Sequence, residues 1–177
     1  MERSAPPARV RVWALPVRLA HWGLAALVAA DLLLDDGGPL HRQLGYAAAA
    51  LVLVRLAWAG WCSGLPGLLP SWRATRAYLR AGAPRHLQHD PLGLWMVWLL
   101  WLLVLLLAAT GWMSRLDAFW GDERVQQVHA WLADALLAGV VLHLAGVAAM
   151  SWRWRENLPR AMVLGSKRAE GAPPEPR

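Results

Sequence analysis

The chain has 177 residues, 57% of them hydrophobic and only 17% charged. A soluble domain carries about a quarter charged residues, so an ordinary water-soluble fold is excluded and a membrane protein is indicated. The net charge of +6 could suggest nucleic acid, but its distribution along the chain argues against that, and the single cysteine, Cys62, excludes an intramolecular disulfide and a Cys-x-x-Cys-His haem attachment.

Residues 1–12 are basic and contain proline, with Arg3, Arg9 and Arg11, and read as a short disordered tail. The first apolar segment covers about 13–34 and is broken only by Arg18, His21 and Asp31. A signal peptide is the competing reading, but His21 and Trp22 interrupt the apolar run and the segment is long enough to span. Asp35-Asp36-Gly37-Gly38-Pro39 is a turn by composition. The second span, about 40–61, holds His41, Gly45, Tyr46 and Arg55. A polar, proline-punctuated region follows to Pro91. In it Ser71 can cap a short helix whose Trp72, Tyr78 and Leu79 against Arg73, Arg76 and Arg80 suggest a surface-lying amphipath.

The third span, about 92–113, is the most uniformly apolar and has no histidine. Residues 114–127 read as a polar loop. The fourth span, about 128–152, carries His129 and His143. From Arg153 the chain reads as a basic tail, disordered toward its Pro- and Glu-containing end. Most of the 13 tryptophans fall where an interfacial aromatic belt would lie.

Four spans in an all-α membrane bundle put both termini on one side. Of the 18 Lys and Arg residues, 15 fall in the two tails, the 62–91 loop and the adjoining Arg18 and Arg55. Arg42, Arg115 and Arg124 are left for the opposite loops. The positive-inside rule then makes both termini cytoplasmic, and the charge marks topology and meets anionic lipid rather than nucleic acid.

This topology sorts four of the six histidines by depth. His21 lies roughly 9–12 Å in from the cytoplasmic side, and His143 lies at a similar depth. His41 and His129 each open a span on the outer side. His129 and His143 are 14 residues apart, close to four helical turns, so they share one face at a separation of about 21 Å.

Two imidazoles at each of two levels suit two six-coordinate b haems, held non-covalently between helices. With both axial positions filled by protein, such an iron serves electron transfer rather than oxygen chemistry. Gly45, Gly139 and Gly146 could admit a flat macrocycle close to the backbone, or could be helix-packing positions. Arg18 and Arg55 inside, and Arg42 or Arg115 outside, are candidate propionate partners, or topology anchors that snorkel.

Other readings stay open. A membrane histidine is often an interhelical hydrogen-bonding residue. Zinc or copper is conceivable, but two histidines per level with no nearby cysteine or paired carboxylate is a poor zinc set. A metal-ion pathway along the histidine column would want polar residues between the levels, where only Asp134 stands among Leu, Ala and Val. A haem-free anchor that docks a soluble oxidoreductase is a further alternative. His86 and His89 form a His-x-x-His in the polar loop and read as ordinary loop residues.

Val12-Trp13 with Pro16-Val17-Arg18-Leu19-Ala20-His21-Trp22 resembles the opening of the bacterial cytochrome b561 and nickel–iron hydrogenase cytochrome b subunits. Leu40-His41-Arg42-Gln43-Leu44-Gly45-Tyr46, Val54-Arg55-Leu56 and Gly121-Asp122-Glu123 continue the resemblance. So do the His129–His143 helix and Glu156-Asn157-Leu158-Pro159-Arg160-Ala161-Met162 with Gly165 and Lys167. It covers nearly the whole chain in order. It implies two b haems ligated by His21/His143 and His41/His129 and electron exchange with the quinone pool in the bacterial inner membrane, beside which Arg18, Gly45 and Arg55 remain candidates for the cofactor sites on the arguments above. The redox partner would be a hydrogenase- or dehydrogenase-type subunit or a soluble cytochrome, and a homodimer is compatible with the pattern. Ala130 departs from the acidic residue often found there in the family.

Overall fold

The computed structural model describes residues 9–33, 37–62, 69–88 and 90–169. Asp35, Asp36, His89 and the Cys62 side chain, together with the two ends of the chain, fall outside the described set. Four helices are long and apolar enough to cross a membrane. These are α1 (Leu15–Leu33), α2 (Pro39–Cys62), α4 (Pro91–Met113) and α5 (Glu123–Trp154). Two shorter helices, α3 (Trp72–Arg80) and α6 (Leu158–Leu164), lie at the end that carries the termini. A two-stranded antiparallel pair, β1 (Arg9–Arg11) with β2 (Ser166–Arg168), ties the beginning of the chain to its end in the register Arg9 to Arg168.

Proline sits in the first turn of α1, α2, α4 and α6, where its missing amide would have had no helical partner anyway. Side chains cap the free amides that remain. Ser71 accepts from Ala74 N at 3.4 Å, Asp90 from Gly93 N at 2.9 Å, Asp122 from Arg124 N at 2.8 Å and Asn157 from Arg160 N at 2.8 Å. The Asp122 cap with Glu123 behind it starts α5 well before its apolar stretch, inside the segment expected to be a loop. Polar residues end a membrane span without ending a helix, because the cap and the acidic first turn suit the helix dipole. Arg155 closes α5 in the left-handed region at φ 49°.

Packing is sequential: α1 lies on α2, α2 on α4 and α4 on α5. Helices in lipid associate by close approach rather than by hydrophobic transfer, so small residues mark the contacts. The core holds Ala48, Ala49 and Val52 of α2, Leu103 and Val104 of α4 and Leu136 of α5. Gly139 of α5 faces α4, where an added Cβ would meet Leu100 Cδ2 at 3.0 Å. Between α5 and the α1–α2 pair, close backbone approaches are sparse. Leu136 is seven residues from both His129 and His143, so the packed core separates the two histidine levels.

Residues 9–12 differ from their reading as part of a disordered tail, and the Pro- and Glu-containing end of the chain lies outside the described residues. Residues 9–11 and 166–168 pair as strands, and Val12 N and Trp13 N both donate to Gly165 O at 2.8 and 3.1 Å. Gly165 has φ +77°, and a Cβ there would fall 2.8 Å from Trp13 O and 3.0 Å from Arg18 Nη1. Only glycine fits this crossing.

Candidate haem-binding site

α1 carries His21, α2 carries His41, and α5 carries His129 and His143. The structure brings them together in two pairs across the sparse seam. The His21 and His143 ring centroids are 6.4 Å apart, and those of His41 and His129 are 6.2 Å apart. Two imidazoles bound trans to one metal, each by a bond of about 2.0–2.1 Å with about 1.1 Å from nitrogen to ring centre, put their centroids about 6.3 Å apart. Both observed separations match that spacing. Among the described residues no group of three or more His, Cys, Asp or Glu side chains converges on either pair. Two histidines at each level would suit a metal that brings further donors of its own.

The His41 and His129 rings each have a polar side chain close to the second ring nitrogen. His129 Nδ1 lies 2.8 Å from Thr110 Oγ1, which is itself 2.9 Å from Leu106 O. His41 Nδ1 lies 3.0 Å from Asp31 Oδ1. Those last two atoms are buried and within reach, though not aligned for a hydrogen bond. A metal-binding histidine commonly gives its other nitrogen to such a partner, which fixes the ring and leaves Nε2 free to bind. At the other level, His21 Nδ1 is buried without a partner.

The remaining expected residues are placed as follows. Arg55, half-buried on α2, has Nη1 buried without a partner, and it lines a cleft of about 300 Å³ with Pro16, Leu19, Ala20 and Trp58. Arg18 donates to Val163 O, while its Nε is buried and unpartnered. Arg42 reaches Gly37 O at 3.5 Å, and Arg115 lies over the Trp120 ring at 5.6 Å. Gly45 lies beside Asp31, since an added Cβ would sit 3.4 Å from Oδ2. Gly146 has open space around its Cβ position. Asp31 and Thr110 are the site residues that sequence reasoning missed. The available signal was a carboxylate near the C-terminal end of one span, level with a histidine at the start of the next.

Past the ends of the long apolar helices, the end of the molecule that carries β1 and β2 holds a buried polar network. Glu156, 3% exposed, accepts from Arg85 Nε at 3.0 Å, Arg85 Nη2 at 2.9 Å and the Arg168 amide at 2.8 Å. Burial alone would raise the Glu156 carboxyl, but the Arg85 hydrogen bonds, the Arg168 amide and the Lys167 ammonium together carry it below the ordinary carboxylate value. Burial lowers Lys167, against the pull of Glu156. Its Nζ donates to His86 O at 3.1 Å and lies 5.8 Å above the Trp154 ring. Tyr78 packs on the His86 ring, and burial first, then the nearby Asp90, pushes its hydroxyl up to about 12.

A family model described as prokaryotic cytochrome b561 matches residues 12–165. That stretch takes in all four membrane helices and the four paired histidines. No curated protein and no solved structure is a match to the chain.

Proposed function

The chain belongs to the prokaryotic cytochrome b561 family, and from that premise we propose that its four membrane histidines hold two b haems, His21 with His143 and His41 with His129. The protein is a multi-pass component of the bacterial inner membrane that binds haem b and transfers electrons. The observation that carries the two-haem reading is the pair of ring separations, 6.4 and 6.2 Å, each matching one iron gripped from both sides.

The bound group supplies one-electron chemistry between ferric and ferrous iron. The chain supplies the rest. Helix α5 is the shared strut and contributes one ligand to each level. Its 14-residue spacing between His129 and His143 sets a vertical separation of about 21 Å. Two protein ligands per iron leave no open coordination position, which restricts the site to electron transfer. Arg55 and Arg18 would meet the propionates of the inner haem, and Arg42 or Arg115 those of the outer one. Both termini face the cytoplasm by the positive-inside rule, so His21 and His143 form the inner level.

Electrons then pass between the quinone pool and a partner of the hydrogenase, dehydrogenase or soluble cytochrome type. Support for this last part is the sequence resemblance to nickel–iron hydrogenase cytochrome b subunits. The test is reduction of the purified protein in liposomes by a water-insoluble quinol analogue, followed in the α-band. Full reduction, matching that by dithionite, is expected; dithionite-reducible haem that no quinol reduces would remove the quinone link.

A further inference from the structure

The two histidine levels differ in what lies behind the rings. Behind His41 stands a carboxylate, Asp31 Oδ1, at 3.0 Å. Behind His129 stands a neutral hydroxyl, Thr110 Oγ1, at 2.8 Å. The Thr110 hydroxyl also lies 2.9 Å from Leu106 O and 3.1 Å from Leu107 O, so it can donate to the α4 backbone and accept from a protonated His129 Nδ1. A glycine lies beside Asp31 and another beside the His129 ring, each at ordinary contact distance. A Cβ at Gly45 would come within 3.4 Å of Asp31 Oδ2, and one at Gly111 within 3.5 Å of His129 Cε1. Neither His21 Nδ1 nor His41 Nδ1 makes a hydrogen bond among the described residues, but of the two only His41 has a carboxylate oxygen in contact there.

Resting on the two-haem reading above, we infer that Asp31 is a positioning residue for the outer haem, fixing the His41 ring through Nδ1 and lowering the potential of that haem alone. When a metal takes Nε2, Nδ1 keeps its proton and becomes a donor. A carboxylate acceptor draws that proton, makes the imidazole a stronger electron donor and places negative charge on the iron's axis. All three effects favour ferric over ferrous iron. Thr110 fixes the opposite ring in the same way without adding charge, so its electronic effect is smaller. A membrane carboxylate is costly unless it faces a partner, and the His41 ring lies in contact with Asp31 Oδ1 at 3.0 Å, a contact that a proton on Nδ1 would turn into a hydrogen bond.

The experiment is a spectroscopic redox titration of the intact protein at one pH, with haem counted on the same samples. The outer couple is identified as the one that persists in His143→Ala. Asp31→Asn keeps an acceptor for Nδ1 and removes the charge. The expected result is two haems, an inner couple that does not move, and an outer couple shifted upward by at least a tenfold change in its ferric-to-ferrous equilibrium, which is 59 mV for one electron. Thr110→Val should shift the same couple less. Two haems with both couples unmoved in Asp31→Asn overturn the inference and leave the two-haem reading standing. Fewer than two haems in the wild type overturn that reading instead. If Asp31→Asn loses the outer haem, Asp31→Glu decides. Two haems with the outer couple near its wild-type value support the role of the charge, and a second loss of the haem overturns it.

Discussion

Glu156 is the residue whose loss should most loosen the terminal end of the molecule. Its carboxylate is 1% exposed and accepts three hydrogen bonds, two of them from Arg85. Glu156→Gln keeps the shape and leaves the guanidinium without its counter-charge. Removing one partner of a buried pair costs about 3–5 kcal/mol. Arg85 keeps 18% exposure, so water partly compensates the charge left behind. The loss therefore belongs at the lower end, about 3 kcal/mol, which is roughly a 100- to 200-fold change in a local opening equilibrium. Hydrogen exchange reads it directly, because the Arg168 amide donates to Glu156 and β2 pairs with β1.

In a lipid nanodisc, Glu156→Gln should speed exchange over residues 166–168 by about that factor, while Arg160→Gln, an exposed control, changes little. The pH dependence has a definite sign. The folded carboxyl lies below its ordinary value, so its stabilisation is present above the ordinary carboxylate range and is lost as pH falls through the folded value. Wild-type protection, corrected for intrinsic exchange, should fall over that window and Glu156→Gln should not. A less than threefold effect of the substitution would refute the view that this carboxylate holds the strand pair in place.

Two further outcomes follow from buried atoms without partners. Arg55→Ala should release the inner haem about tenfold faster to an acceptor protein, with the outer haem unaffected, since Arg55 Nη1 is the buried donor available to a propionate there; equal release from both levels would remove Arg55 from that role. Tyr78 is 4% exposed and its hydroxyl has no partner among the described residues. Tyr78→Phe should therefore hold or raise the thermal midpoint by up to about 1 kcal/mol of stability, and a clear drop would reveal a partner for that hydroxyl.

The spans were legible because lipid demands long apolar runs, and the run lengths place the helices that the structure shows. The neighbours His129–His41 and His143–His21 were legible too, since depth follows from topology and rise per residue. The terminal strand pair was not. Arg9–Arg11 and Ser166–Arg168 are short, polar and 157 positions apart at their closing contact, Arg9 with Ser166. Nothing local distinguishes such segments from a solvated tail. The Asp31–His41 and Thr110–His129 contacts were hidden for a related reason: each joins two helices at one depth, and hydropathy treats a lone polar residue as a blemish in a span. Glycine was ambiguous throughout. Gly139 serves helix packing against Leu100, Gly45 accommodates Asp31, and composition alone gives both the same letter.

The central claim is that each histidine pair holds one haem. The most direct measurement is a pyridine-haemochrome count per chain on purified protein, wild type beside His143→Ala, His129→Ala and the double variant. The account predicts two haems, then one, one and none, with different redox couples surviving in the two single variants. A wild type that holds fewer than two haems when fully loaded, or a His143→Ala protein that keeps both, would contradict it.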